Sequence, residues 1–154
     1  MLYFEDLEVG MAAEAGSRTV TKEGIIEFAE QWDPQPFHVD EEAAEESIFG
    51  GLVASGLHTL SSCNVLATDA IFGDLAVLGG RGIDELRFHE PVRPGDTLRV
   101  RAEVVSTADA KRPGAGHAEI EVTGYTRTDH PVITWRSLVL VQRRNGGSGS
   151  DAGR

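Results

Sequence analysis

The sequence has little cysteine, few basic residues and no long apolar stretch, and each shortage argues against a class of protein. Its single cysteine, Cys63, has no partner for a disulfide, which suits a reducing compartment. The chain carries 14 lysines and arginines against 25 aspartates and glutamates, a formal charge of -11. Because nucleic acids and anionic membrane surfaces usually bind a basic face, we expect neither as a partner.

The chain also lacks the segments that direct export or membrane insertion. It contains no run of about 18 apolar residues and no basic segment followed by an apolar one. We therefore expect a soluble, cytoplasmic protein. The 154 residues fit a single domain, which we place at residues 1–144. The glycine- and serine-rich end, residues 145–154, is predicted to be disordered.

The first half of the chain predicts helices. Thr21 is a favourable N-cap for the first helix, which we expect to end at Asp33. Asp40 is expected to cap a short acidic helix that runs through Glu46. Residues 54–68 include no charged residue and many small ones, so we predict a long helix that is buried all round. The predicted core face of the first helix comprises Ile25, Phe28, Ala29 and Trp32.

After residue 75 the apolar pattern changes to a period of two, which is typical of strands. We predict four strands in antiparallel succession there, beginning with residues 77–88, and an earlier strand near residues 11–19. Residues 93–96 predict a type II turn, and residues 128–131 a further turn. These elements predict an α+β fold in which a curved antiparallel sheet of about five strands wraps round the long helix. Its exposed strand edges favour a homodimer or a dimer of dimers.

One carboxylate and one imidazole stand five positions apart, at Asp33 and His38. Pro34 and Pro36 push the residues before them away from helical dihedrals, so we predict a stiff, non-helical turn. A fully extended chain would hold the two side chains roughly 17 Å apart. They can share a water molecule only if the chain folds back between them.

Four segments together resemble the MaoC-like dehydratases, a hotdog-fold family that includes (R)-specific enoyl-CoA hydratases. They are residues 3–10, the Asp33-x-x-x-x-His38 element, residues 49–56 with the sequence FGGLVASG, and residues 88–96 with the sequence FHEPVRPGD. The resemblance covers most of residues 3–142. Many family members carry a histidine immediately before the last glycine of FGGLVASG, whereas this chain has Ser55.

The resemblance implies reversible syn hydration of a trans-2-enoyl-CoA to a (3R)-3-hydroxyacyl-CoA. It assigns Asp33 and His38 the task of holding the water, and both side chain types suit acid–base work near neutral pH. It also implies that the start of the long helix polarises the thioester, with Gly56 as the oxyanion donor and Ser55 and Gly51 beside it. The cofactor is none, apart from coenzyme A as part of the substrate.

Two other functions remain open at this point. A hotdog acyl-CoA thioesterase would bind the same ligand and hydrolyse it. A non-catalytic acyl-thioester-binding subunit would keep the fold alone. The pair Asp33 and His38 argues against both, because a binder has no use for a water held between them.

The other candidate residues are weaker. The remaining histidines lack the spacing of metal ligands, so we predict no metal site; they are His58, His89, His117 and His130. Phosphates of coenzyme A could meet basic residues near turns and strand ends. The candidates are Lys111, Arg112, Arg143 and Arg144.

Overall fold

The fold is built on long strands from the second half of the chain, which a helix from the middle of the chain covers. A computed structural model describes residues 1–127 and 130–145. The strands are β1 (Ala12–Thr19), β2 (Val77–Phe88), β3 (Thr97–Asp109), β4 (Ala115–Arg127) and β5 (His130–Gln142). The helices are α1 (Lys22–Trp32), α2 (Pro36–Val39), α3 (Glu41–Glu46) and α4 (Gly56–Ala70), with single 3₁₀ turns at Phe4–Asp6 and Phe72–Asp74.

The five strands form one antiparallel sheet in the order β1-β3-β4-β5-β2. Alternation sets which face each side chain occupies: in β3, Leu98, Val100, Ala102 and Val104 are all 2% exposed or less, and their odd-numbered neighbours point away from the core. The predicted α+β class and sheet of five strands are confirmed.

The predicted succession of the four late strands is wrong in one respect. Strands β3, β4 and β5 do follow one another, but β2 pairs with β5 and forms an edge of the sheet. The connection from β2 to β3, residues 89–96, contains two prolines and receives a hydrogen bond at the Val92 carbonyl from the Ala54 N–H (2.8 Å). It therefore crosses in front of the helix instead of forming a tight hairpin.

The predicted type II turn is confirmed at the end of this connection. Gly95 has a φ of 88° and the Asp96 N–H donates to the Arg93 carbonyl at 3.0 Å. The turn signal at residues 128–131 falls partly on residues 128 and 129, which lie outside the described residues. The tail predicted at residues 145–154 also lies outside them, apart from Asn145.

Helix α4 packs its apolar and small residues on β1 and β3. Its closest approach to the sheet is at Gly124 of β4, where a Cβ atom would lie 2.6 Å from the sulfur of Cys63. Cys63 is fully buried, and burial raises the pKa of its thiol to about 12, so it is not a reactive thiolate at neutral pH.

The prediction that this helix is buried all round is wrong for the single chain. Leu57 and Val65 are 47% and 46% exposed. One sheet covers only one side of a helix, and the described chain places nothing over the other side. Within the described residues, no helix has the length and apolarity needed to cross a bilayer.

Helix α1 begins as predicted, with the Thr21 hydroxyl accepting from the Gly24 N–H at 3.0 Å. Its core face is narrower than predicted: Ile25 and Ala29 are fully buried, whereas Trp32 is 67% exposed. Trp32 lies in the last turn, beyond the edge of the elements that α1 covers. Asp40 caps α3 as predicted, accepting from the N–H groups of Glu42 and Ala43.

A clasp of charged residues joins the first turn of the chain to the end of β5. Arg144 Nη2 donates to both carboxylate oxygens of Asp6 at 2.6 Å, and the Arg144 N–H donates to Glu5 at 3.1 Å. The guanidinium of Arg143 lies 4.5 Å from the ring centre of Phe4. The Tyr3 N–H, followed by Arg144, lowers the pKa of Asp6.

We expect Asp6→Asn to make the protein less stable at pH 7 but not at low pH. Because the folded pKa of Asp6 is lowered, its carboxylate stabilises the fold above its unfolded pKa of about 3.9, and this contribution is lost as the pH falls through the folded pKa. Thermal melting at pH values from 3 to 7 measures the difference between the two proteins. An equal difference in Tm at every pH would contradict the role of the clasp, and Glu30→Gln is the exposed control.

Candidate functional site

The end of α1 delivers Asp33 to the site. Asp33 is the C-cap of this helix, with its N–H bonded to the Ala29 carbonyl at 2.9 Å, and Pro34 prevents the helix from continuing. Its side chain remains 28% exposed, so the carboxylate stays in contact with solvent on one side.

His38 reaches the same place from a different local structure than the one predicted. Pro36 begins a one-turn helix, α2, and His38 lies inside it. The prediction of a non-helical turn is therefore wrong for His38, because proline is well accommodated at the first position of a helix, where its missing N–H costs nothing. The chain does fold back between the two residues, as sharing a water requires.

One backbone contact determines the chemistry of the His38 ring. The ring atom Nδ1 lies 2.6 Å from the Val53 carbonyl oxygen, and His38 is 6% exposed. A carbonyl can only accept, so Nδ1 carries the hydrogen, and the neutral ring then has its lone pair on Nε2. That Nε2 atom lies 3.5 Å from Asp33 Oδ2. The separation exceeds the roughly 2.7–3.2 Å of a direct N–H···O bond, so two acceptors face each other across a gap.

Ser55 connects Asp33 to the start of α4. Its hydroxyl donates to Asp33 Oδ2 at 2.6 Å and accepts from the Leu57 N–H at 3.2 Å, and the residue is fully buried. Since a serine hydroxyl has one proton, Leu57 and Asp33 together define its orientation. Ser55, which the sequence placed beside the oxyanion donor, thus holds the carboxylate directly.

Gly56 is the first residue of α4, where N–H groups have no partner within the helix. In the described part of the chain, no acceptor bonds the Gly56 N–H. The ring of Phe88 covers this position so closely that a Cβ atom would lie 2.5 Å from Phe88 Cζ. Gly51 does not join the site: the nearest atom to its missing Cβ is a guanidinium nitrogen of Arg93, at 3.5 Å.

A cavity of about 380 Å³ adjoins His38 and Gly56. Its buried walls are mostly apolar, and its rim comes from the exposed residues that follow β2. The lining comprises Phe37, His38, Phe49, Val53, Ala54, Gly56, Thr59, Phe88, His89, Glu90, Pro91, Val92 and Val132. A larger groove of about 680 Å³ lies over β1 and β3 and contains none of the candidate residues.

This combination of fold and site agrees with the comparisons with known proteins. The pattern of the MaoC like domain family matches residues 6–126. The chain belongs to the MaoC-like domain family. A solved MaoC-like dehydratase from Rhodospirillum rubrum is 37% identical, with a TM-score of 0.85, and the match covers 94% of this chain and 99% of that one.

Two further members relate this MaoC-like chain to a fold and to an activity. A Mycobacterium tuberculosis protein described as a double hotdog fold, Rv0216, is 24% identical with a TM-score of 0.76, and the match covers 99% of this chain and 46% of that one. The fold is therefore the hotdog fold. The 3-hydroxybutyryl-CoA dehydratase of Methylorubrum extorquens is 34% identical over 113 residues, which are 73% of this chain and 69% of that protein.

The other histidines of this MaoC-like chain lie apart from the pair. His58 stacks on Phe28 with ring centres 4.7 Å apart, and burial, followed by the charge of Arg18, lowers its pKa. His89 lies at the cavity rim, with Nε2 2.8 Å from the Thr134 hydroxyl. Among residues 1–127 and 130–145 there is no cluster of three or more histidine, cysteine or acidic side chains that could hold a metal ion.

The basic residues considered for phosphate binding are partly engaged elsewhere. Arg143 and Arg144 belong to the clasp with Glu5, Asp6 and Asp109. None of Lys111, Arg112, Arg143 and Arg144 lines the cavity. A coenzyme A binding role for these four residues has no support in the geometry.

Sequence reasoning missed three parts of the site. The Val53 carbonyl carries no signal at all, because every residue has one. The Phe88 ring over Gly56 depends on where β2 ends relative to α4. Thr59 had a usable signal, since it lies four positions after Ser55 and hence on the same face of the helix.

Proposed function

We propose that the protein is a hydro-lyase that reversibly hydrates a trans-2-enoyl-CoA to a (3R)-3-hydroxyacyl-CoA. The observation that carries this proposal is the pair of acceptors, Asp33 Oδ2 and His38 Nε2, which face each other 3.5 Å apart beside a cavity. Membership in the MaoC-like family supports the reaction class, and the dehydratase activity named for the Methylorubrum extorquens relative supports the thioester substrate.

A water molecule suits the position between these two acceptors. It would donate one hydrogen to the Asp33 carboxylate and the other to His38 Nε2, so its lone pairs would face outward, as a nucleophile requires. The Val53 carbonyl keeps the lone pair of the imidazole on Nε2, and the Ser55 hydroxyl keeps Oδ2 in place. Positioned acid–base groups of this kind contribute about 10²- to 10⁴-fold in rate.

The start of α4 supplies the second requirement of the reaction. Attack of water at C3 moves the electrons of the double bond toward the thioester oxygen, which gains negative charge. The Gly56 N–H and the positive end of the helix are favourable partners for that charge, and removing one such donor typically costs about 3 kcal/mol. The Ser55 hydroxyl is committed to Asp33, so we assign the donor role to Gly56 alone.

The protons balance through the same pair. One hydrogen of the water passes to Asp33 or His38 as the oxygen bonds to C3, and a proton is delivered to C2 from the same side. The product is a 3-hydroxyacyl thioester, and the reverse sequence eliminates water. Asp33 and His38 together exchange the proton, and the chain needs no further cofactor for this step.

A thioesterase has weaker support from the same geometry. Hydrolysis would also use a held water, but it needs that water beside the carbonyl carbon. The pair instead lies apart from Gly56, joined to it through Ser55, which suits attack two carbons away from the carbonyl. A non-catalytic binding subunit would leave the arrangement of Asp33, His38 and Ser55 without a use.

We also propose that the protein assembles as a homodimer through β2. This strand is an edge of the sheet, and edge strands offer unpaired N–H and C=O groups. Val77, Leu78 and Ile83 of this strand are 38%, 48% and 51% exposed, and Leu57 and Val65 of α4 add apolar surface. An antiparallel edge can pair with its own copy across a two-fold axis, which buries these side chains at once. Further association into a dimer of dimers has no separate support.

Asp33→Asn and His38→Ala should each reduce kcat/KM for crotonyl-CoA hydration by about 10²- to 10⁴-fold, because each removes one of the two groups that hold the water. Loss of the enoyl absorbance measures the reaction, and thiol release is followed in parallel. His117→Ala, on the opposite part of the sheet, is the matched control. Thiol release by the unaltered protein without loss of the enoyl absorbance would replace the hydratase proposal by a thioesterase.

Ser55→Ala should lower kcat/KM about 10- to 100-fold, the value of one hydrogen bond to a charged group. It should also destabilise the fold by about 1 kcal/mol, because the Leu57 N–H loses its cap. Thr21→Ala loses an equivalent cap at α1, far from the cavity, and should match the stability loss while keeping full activity. Equal activity in the two variants would show that Ser55 acts as a helix cap alone.

Ile83→Asp should shift the protein from dimer to monomer in sedimentation velocity, because it places a charge in the proposed apolar contact. Val9→Asp is the control: Val9 is 64% exposed and lies near β1, at the other edge of the sheet. A monomeric unaltered protein, or a dimer that persists in Ile83→Asp, would contradict an interface through β2.

A further inference from the structure

The cavity contains one polar side chain that the proposed reaction does not use. Four lining residues have polar side chains within the described chain: His38, Thr59, His89 and Glu90. His38 belongs to the water site. His89 bonds Thr134, and Glu90 lies 3.9 Å from His130, both on the exposed rim. Thr59 is left, and it lies inside, at 5% exposure.

The Thr59 hydroxyl is poorly satisfied by the protein. Its one hydrogen bond runs to the Ser55 carbonyl at 3.4 Å, which is long for a hydroxyl donor, whose bonds are usually about 2.5–3.0 Å. Thr68, on the exposed side of the same helix, makes the equivalent bond to the Asn64 carbonyl at 2.9 Å. The helix therefore permits a normal bond, and Thr59 does not form one. A buried hydroxyl in this state gains from a further partner.

The surroundings of Thr59 limit what that partner can be. Other buried lining residues are apolar, including Val53, Val92 and Val132, each 2% exposed or less. No lysine or arginine lines the cavity within the described residues, and Glu90 adds a negative charge at the rim. A carboxylate would thus enter without a counter-ion, whereas a neutral oxygen would find the Thr59 hydroxyl and pay no charge penalty.

We propose that Thr59 is a specificity-determining residue that selects acyl groups with a neutral oxygen substituent, such as a hydroxyl, on the chain beyond C3. The inference rests on the proposed function, which places the thioester at Gly56 and C3 beside Asp33 and His38. Thr59 lies three residues further along α4 than Gly56, about 4.5 Å at the helical rise, and hence alongside the acyl chain. A plain hydrocarbon chain would fill the same space and leave the hydroxyl without its second partner.

A pair of thioesters that differ only in one terminal group tests the proposal. 5-Hydroxy-trans-2-pentenoyl-CoA and trans-2-hexenoyl-CoA exchange a hydroxyl for a methyl group at nearly constant size. The unaltered protein should prefer the hydroxylated substrate roughly tenfold in kcat/KM, the value of one hydrogen bond. Thr59→Val keeps the shape of the side chain and should abolish the preference, whereas Thr59→Ser should retain it. Thr68→Val, which removes the matching hydroxyl on the exposed side of α4, should leave the preference unchanged.

Binding of the saturated analogues, 5-hydroxypentanoyl-CoA and hexanoyl-CoA, separates this proposal from the reaction itself. Hydration of both enoyl substrates without a preference, or a preference that survives in Thr59→Val, would overturn the role of Thr59. A binding preference that Thr59→Val removes, in a protein that hydrates neither substrate, would overturn the hydratase proposal and support the pocket. Binding of neither analogue would overturn both.

Discussion

The candidate site depends on the short segment at residues 53–56, which runs in front of α2 into the start of α4. Its Val53 carbonyl holds the His38 ring at 2.6 Å, and its Ser55 hydroxyl holds the Asp33 carboxylate at 2.6 Å. The same segment is tied on its other side to the connection after β2 through the Ala54 N–H. Two side chains from separate helices are thereby referred to one piece of backbone. Their separation follows from that backbone, and not from a direct bond between them.

Such an arrangement favours a gap over a contact. Each member of the pair has a strong bond to a third party, and neither has to turn toward the other. A direct ion pair between Asp33 and His38 would leave no position for a nucleophile. The protein maintains the opposite state, in which two acceptors are held at 3.5 Å and gain from a molecule with two hydrogens between them.

The parts of the structure that the sequence predicted well are those that local patterns determine. Alternation in β3 and the caps at Thr21 and Asp40 depend on nearby residues, and each was confirmed. The errors arose where a distant element decides the outcome. Trp32 has the right helical spacing but nothing to pack against, and β2 pairs with β5 because the proline-containing connection crosses over the helix. Pro36 was misread because proline both breaks helices and begins them. The Asp33 and His38 pair could be singled out from residue types, but its geometry required the Val53 carbonyl, which no side chain pattern announces.

The ring of Phe88 over Gly56 has an electrical consequence. A phenyl group at this position takes the place of water against the first N–H of α4, so the field of the helix end acts through hydrocarbon on that side. The interaction of a peptide dipole with a nearby charge grows as the local dielectric constant falls. Glycine at position 56 is what permits this covering, since any larger residue would push the ring away. The smallest side chain in the site thereby sets how strongly the helix can act on whatever lies before it.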